Sequence, residues 1–227
     1  MNRNEMLVAP LSTPLNPSGF LFFLFFWTLP VSLGAPLQVA DRATPLNMID
    51  DAVDDMYDGC KDKMAETVNK MYFAKENTGI FAEAWKDATD CTNDNLKNKA
   101  EEDKALTEDH MQAICVYTDH KYKFYDLFNN HVLRNRSIYG TNFPFHYLHF
   151  WLTSAIQILN TNTKSHTSYR RTKHEFTGEV GQIMRFGLFA SSSYNKTLTS
   201  FGSRTCFAIK TYYGGYLKYY STYKEEE

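Results

Sequence analysis

Apolar residues recur at helical spacing through the first half of the chain and in short alternating runs through the second. Met64, Val68 and Met71 share one helical face, as do Phe81, Ala84, Trp85 and Ala88. Thr107 stands where an N-cap is expected, ahead of a helix carrying Met111, Ile114 and Cys115. Phe124 and Phe128 lie one turn apart on the next helix. The run FPFHYLHFWLTSAIQIL brings Leu148, Leu152, Ala155, Ile156 and Leu159 onto one face, widened by aromatic rings. The pattern is thus mainly helical from Asp50 to about Asn160. Beyond it, aromatic and β-branched runs alternate with Gly, Ser, Asn and Thr turns. The predicted strands are His166–Thr172, Gln182–Ala190, Arg204–Thr211 and Tyr216–Tyr220. Helices followed by strands predict an α+β fold, a helical part packed on a β core, rather than a parallel βαβ sheet.

Composition narrows the class. The 227 residues are 43% hydrophobic and 22% charged, which excludes a disordered, collagen-like or rod-like chain. With 24 Lys+Arg against 26 Asp+Glu, nothing suggests a nucleic-acid partner. The near-neutral total hides a split: residues 50–109 carry 17 acids and 8 bases, and residues 110–224 carry 14 bases and 4 acids. Such halves can neutralise each other on packing, and the basic half can also attract an anionic ligand.

The stretch GFLFFLFFWTLPVSL, Gly19 to Leu33, is uncharged, shorter than the ~20 residues of a membrane span, and runs into a small-x-small pattern, Ser32-Leu33-Gly34, before Ala35. This is the layout of a secretory signal peptide over residues 1–34, which leaves residues 35–227 as a single domain without a transmembrane span. In an oxidising compartment Cys60, Cys91, Cys115 and Cys206, which show no C-x-x-C spacing, are disulfide candidates with three possible pairings. Asn135-Arg136-Ser137 and Asn195-Lys196-Thr197 are glycosylation sequons, making Asn135 and Asn195 candidate acceptors.

Candidate chemistry is sparse in the helical half. His146 and His149 lie three apart, but no third ligand stands at a suitable offset, so a packed pair and no metal site is expected. No Gly-rich phosphate loop and no G-x-S-x-G turn is present. In the strand half, Tyr169-Arg170-Arg171 puts two guanidinium groups in one strand, where only one can point to a given face. The stretch from Arg185-Phe186-Gly187 to Ala190-Ser191-Ser192-Ser193 ends in a serine cluster. Tyr219 to Lys224 forms an aromatic loop before Glu225, Glu226 and Glu227.

Tyr-Arg, a segment ending Phe-Ala-Ser-Ser-Ser, Phe201-Gly202 and then Glu-x-Glu behind an aromatic loop together resemble the ecto-mono-ADP-ribosyltransferases of the Arg–Ser–Glu-x-Glu type. Asp54-Asp55-Met56-Tyr57-Asp58-Gly59-Cys60, Phe81-Ala82-Glu83-Ala84-Trp85, Phe128-Asn129-Asn130 and Phe145 to Thr153 follow in the family's order, so the resemblance covers residues 45–227. It implies a helical part packed on a mainly antiparallel, two-sheet β core. It also implies transfer of ADP-ribose from NAD, as co-substrate, to arginine side chains of extracellular or secretory-pathway proteins, with release of nicotinamide.

The resemblance assigns Glu227 to the developing oxocarbenium charge, Glu225 to the acceptor guanidinium, and Tyr223 to acceptor contact. Arg170 would meet the NAD pyrophosphate, and Ser191 would hold the nicotinamide ribose or the catalytic glutamate. Ser193 and Arg185 are further candidates for contact with NAD. Where the family carries a cysteine in a Thr-Cys-x-Gly context, this chain reads Thr211-Tyr212-Tyr213-Gly214, with Cys206 six residues before Tyr212. The resemblance then points first to a Cys60–Cys206 bridge, with Cys91 and Cys115 remaining. Family members continue beyond the last glutamate with an apolar strand and a Pro-rich segment, so a domain shortened at its C-terminal end and weak or absent turnover are expected. The alternatives are a secreted NAD-binding protein without catalysis and an incomplete gene model of the enzyme.

Overall fold

The computed structural model describes residues 5–8, 43–160 and 166–222, the first four and His166 by backbone alone. Tyr223, Glu225 and Glu227, and all of the expected signal segment except 5–8, lie outside the described residues. Strands β1 (Glu5–Val8) and β2 (Thr44–Pro45) precede the helical part. That part comprises α1 (Lys61–Thr67), a π-helical stretch Val68–Tyr72, α2 (Phe73–Glu76), α3 (Gly79–Asp87), α4 (Thr89–Lys97), α5 (Glu108–Thr118), α6 (Phe124–Arg134) and α7 (His146–Leu159). Then follow β3 (His166–Thr172), β4 (Phe176–Thr177), β5 (Ala190–Ser193), β6 (Thr205–Thr211) and β7 (Gly214–Tyr216). The order is the α+β arrangement expected from the pattern.

Five strands form an antiparallel sheet in the order β6-β3-β5-β1-β7, and β2 with β4 makes a small parallel pair. Helix α7, buried along most of its length, packs against α5 and against β7, where Gly215 leaves room for the backbone of Ile156. Phe81, Phe124, Phe128, Phe145 and Phe189 interlock as stacked, edge-on and tilted rings in the core between helices and sheet.

Local chemistry explains the helix starts. Thr107 and His110 form a capping box at α5: the Thr107 N–H and Oγ1 both lie against Nδ1 of His110, at 3.0 and 2.7 Å. With Nδ1 accepting the Thr107 N–H, the ring proton belongs on Nε2, where it meets Ser154 Oγ of α7 at 2.9 Å. Burial and the nearby Lys61 and Lys99 lower His110 to about 4, so the cap is neutral. At α7 the cap comes from afar: Glu76 Oε2 accepts the Tyr147 N–H at 3.0 Å, and Oε1 meets His146 Nδ1 at 2.6 Å. Both His146 and His149 are buried among aromatic rings, the packed pair expected.

Two strand expectations shift. Residues 182–189 form no ladder, because their donors turn to the segment before α1: the Arg185 N–H donates to Asn47 O, and the Gln182 side chain to Leu46 O. Gly187 adopts φ 67° there, with the Ile49 side chain where a Cβ would stand. The last strand stops at Tyr216, because Lys218 enters the left-handed region at φ 53° and the Tyr220 N–H turns back to Leu217 O.

Candidate active site

β3 and β5 are neighbours in the sheet, with Tyr169 opposite Ser193. From β3 the Arg170 guanidinium donates Nη1–H to the Ser191 carbonyl at 2.7 Å, joining the two residues that the sequence singled out. Arg171, on the other face as alternation requires, donates Nε–H to Lys196 O at 2.7 Å. Burial lowers the Arg170 guanidinium from its ordinary value, and neighbouring Tyr117 opposes that shift. A guanidinium stays protonated through such a shift, so the site holds a fixed, partly desolvated positive charge.

Two residues that composition did not single out fix β5. Asn129 Oδ1 accepts the Phe189 N–H at 3.2 Å while Nδ2 reaches Phe189 O at 3.4 Å and the Tyr117 hydroxyl at 3.0 Å. The Tyr117 hydroxyl itself donates to Phe189 O at 2.8 Å. Asn129 lay inside the Phe128-Asn129-Asn130 motif, which marked it without giving its task. Within the serine run, Ser192 Oγ donates to Ser168 Oγ at 2.8 Å in the interior, and Ser193 Oγ accepts the Asn195 N–H at 3.0 Å to start a turn.

Arg185 stands elsewhere. Its guanidinium pairs with Asp54 and donates to Met48 O and Ile49 O, tying the loop before β5 to residues 48–54. In the same motif Asp55 Oδ1 caps the Tyr57 N–H at 2.8 Å, and Tyr139 bridges Asp55 to Tyr57, whose hydroxyl reaches His149 Nδ1 at 2.5 Å. The Asp54 to Cys60 motif is therefore a clasp on the fold.

Of the two cysteine pairings, the expected Cys60–Cys206 bridge is corrected and the remaining pair is found. Cys91 and Cys115 form a disulfide joining α4 to α5, and Cys60 and Cys206 are free and exposed. Cys60 heads α1 after the Gly59 turn, while Cys206 sits on the edge strand β6 opposite Arg171, so neither is presented to the other. Tyr220 of the aromatic loop is fully buried, with its hydroxyl on Asp103. Asn195 is exposed in its sequon, and Asn135 caps α6 with its side chain against His131.

Among the described residues no group of three or more His, Cys, Asp or Glu is placed to hold a metal, and no helix is long and apolar enough to cross a membrane. A cavity of about 380 Å³ lined by Glu76, Phe81, Asn142 and Phe145 contains none of the candidate site residues.

A family profile described as NAD:arginine ADP-ribosyltransferase matches residues 46–227. The chain belongs to that family. It is 33% identical over 192 residues to the erythroblast NAD(P)(+)–arginine ADP-ribosyltransferase of Gallus gallus, covering 80% of this chain and 62% of that protein. It is 32% identical over 226 residues to ecto-ADP-ribosyltransferase 4 of Mus musculus, covering 92% and 73%. It thus spans less than two thirds of the Gallus gallus relative's length. Among solved structures, a glutamate-to-alanine mutant of the eukaryotic mono-ADP-ribosyltransferase ART2.2 in complex with NADH matches with TM-score 0.70 and 32% identity. The match covers 81% of this chain and 82% of that one. A second mutant of that protein, in complex with NAD, matches with TM-score 0.68.

Proposed function

We propose that this chain transfers ADP-ribose from NAD to arginine side chains of proteins in the secretory pathway or outside the cell, releasing nicotinamide. The observation that carries the reading is the Arg170–Ser191 contact across β3 and β5 in a chain that also holds Glu225 and Glu227. Structures of the neighbour in complex with NADH and NAD support NAD as the co-substrate. The Cys91–Cys115 disulfide and the names of the ecto-enzyme relatives support the compartment.

The roles follow from charge. The planar Arg170 fork is suited to one phosphate of the NAD pyrophosphate, and Ser191 beside it to a ribose hydroxyl. As the bond between ribose C1′ and nicotinamide breaks, the electron pair leaves with nicotinamide and positive charge builds on the ribose. Glu227 is the carboxylate assigned to that charge. A guanidinium nitrogen of the acceptor then bonds to C1′, and its proton passes to Glu225, which also accepts the guanidinium N–H bonds. Tyr223 contributes to the acceptor side. Arg185 and Ser193 support the frame rather than the ligand, through the contacts with residues 48–54 and with Asn195.

The test is nicotinamide release and agmatine modification by the full chain. Glu227→Gln is expected to lower both by about 10²–10³-fold, the usual size of a lost transition-state electrostatic contact. Glu225→Gln is expected to spare NAD hydrolysis while removing transfer. Turnover untouched by Glu227→Gln would overturn the proposal.

A further inference from the structure

We infer that Asp103 and Asn95 are positioning residues that grip Tyr220 and so hold the segment leading to Glu225 and Glu227. The inference rests on the transferase reading above.

After β7 the chain crosses the end of the helical part, and residues 217–222 are held by partners from α4, the 3-10 turn Glu101–Asp103 and α5. Tyr220 is gripped twice. Its hydroxyl donates to Asp103 Oδ2 at 2.7 Å and accepts the Ala100 N–H at 3.0 Å, so both capacities of the phenol are used. Its backbone carbonyl accepts Asn95 Nδ2–H at 2.7 Å. Asn95 is itself buried between strands of chain that cannot part easily, 3.3 Å from Cys115 Sγ and 3.5 Å from Cys91 Sγ of the disulfide.

Flanking residues add to the grip. Lys218 Nζ reaches Glu102 at 2.8 Å and Asp103 at 2.7 Å, and the Tyr219 hydroxyl donates to Asn98 O at 2.6 Å. Thr222 closes the run: its N–H donates to Thr118 Oγ1 at 2.9 Å, and its hydroxyl to Cys115 O at 2.7 Å. Asp103 is almost fully enclosed, and a buried carboxylate is tolerated only with partners such as Tyr220 and Lys218. Burial first, then the Asp103 bond, raises the Tyr220 phenol well above its ordinary value, so it remains a donor.

Covalent reach gives this grip its use. Glu225 lies three residues beyond Thr222 and Glu227 five, so at ~3.3 Å per residue their Cα atoms stay within ~10 and ~17 Å of the Thr222 Cα. Fixing the neighbouring backbone in advance removes conformational freedom that would otherwise oppose placement of a catalytic group. Tyr220 therefore serves as a tether, and Asp103 and Asn95 as its cleats on a disulfide-stapled base.

Tyr220→Phe and Asn95→Asp test the inference, with agmatine transfer, NAD hydrolysis, thermal melting and backbone amide exchange measured on each. Both variants are expected to lower kcat for transfer at least tenfold, to leave KM for NAD within twofold, and to raise the share of NAD lost to water. Exchange across residues 217–222 is expected to quicken. Asp103→Asn, which still accepts the phenol bond, should retain more transfer than Asp103→Ala. A change below twofold in kcat, in product ratio and in exchange would overturn the inference. So would a loss that tracks melting temperature and disappears at 10 °C. If the unaltered chain neither transfers nor hydrolyses, the transferase reading fails, and amide exchange alone then decides whether the tether exists.

Discussion

Asn129 shows how much of the site rests on one amide. Its two ends take both backbone groups of Phe189, and its nitrogen also supports the Tyr117 hydroxyl beside Arg170. Truncating Asn129 to alanine would leave a part-buried N–H without its acceptor, at a cost of about 1–3 kcal/mol for the group left unsatisfied. Asn129→Ala is therefore expected to lower the urea midpoint without changing the slope and to raise KM for NAD severalfold. Equal midpoints would refute it. Arg170 and Ser191 could be read from the chain because their spacing and order matched a family pattern. Asn129 could be marked in the same way, but its role could not, because its partner lies 60 residues away. Arg185 shows the opposite case: an arginine close to the serine run is committed to the Asp54 clasp, and only the three-dimensional path of residues 46–54 reveals it.

Elements were legible where the signal was local. Thr107 stood in the chain as a cap and caps α5, and the His166–Thr172 and Arg204–Thr211 runs became β3 and β6 almost residue for residue. Residues 182–189 looked like a strand because apolar alternation says nothing about which backbone will accept the hydrogen bonds, and here it is the 46–49 segment. The capping box also carries a pH dependence. His110 and His149 are neutral in the fold, lowered from 6.5 to about 4 and about 3, chiefly by burial. The unfolded chain takes up those protons first as pH falls, so stability is complete above the ordinary value and is lost from there down to the folded value. For His110 alone the loss at pH 5 relative to pH 8 is roughly 2 kcal/mol. Melting temperature should fall between pH 8 and 5, and His110→Gln should flatten part of that slope. A wild-type profile level over that range would contradict the assignment.

At the scale of the whole molecule, the acidic helical part and the basic strand part meet at Lys218. The acidic Glu101–Asp103 turn takes Lys218 from the strand half, so part of the charge split read from the sequence is mutual neutralisation. Arg170 is left with a carbonyl partner, Ser191 O, and pairs with no carboxylate among the described residues. Mutual neutralisation accounts for Lys218, and attraction of an anionic ligand belongs to the proposal for Arg170.

The strand β1 has a consequence for export. Glu5–Val8 fills the space between β5 and β7, with Leu7 opposite Ser191 and Gly215, yet it precedes the segment that reads as a signal peptide. Cleavage after Gly34 and residence of β1 in the sheet are mutually exclusive. A cut chain would face two inner strand borders across a gap one strand wide, about 9–10 Å at the usual spacing. The border of β5 is the one that carries Ser191. Amide exchange at residues 190–193 and 214–216 is expected to be faster in a chain starting at Ala35 than in the full chain, and equal protection would show that another segment fills the gap. Leader removal in this protein would therefore also be an edit to the hydrogen-bond ladder of the strand that carries Ser191.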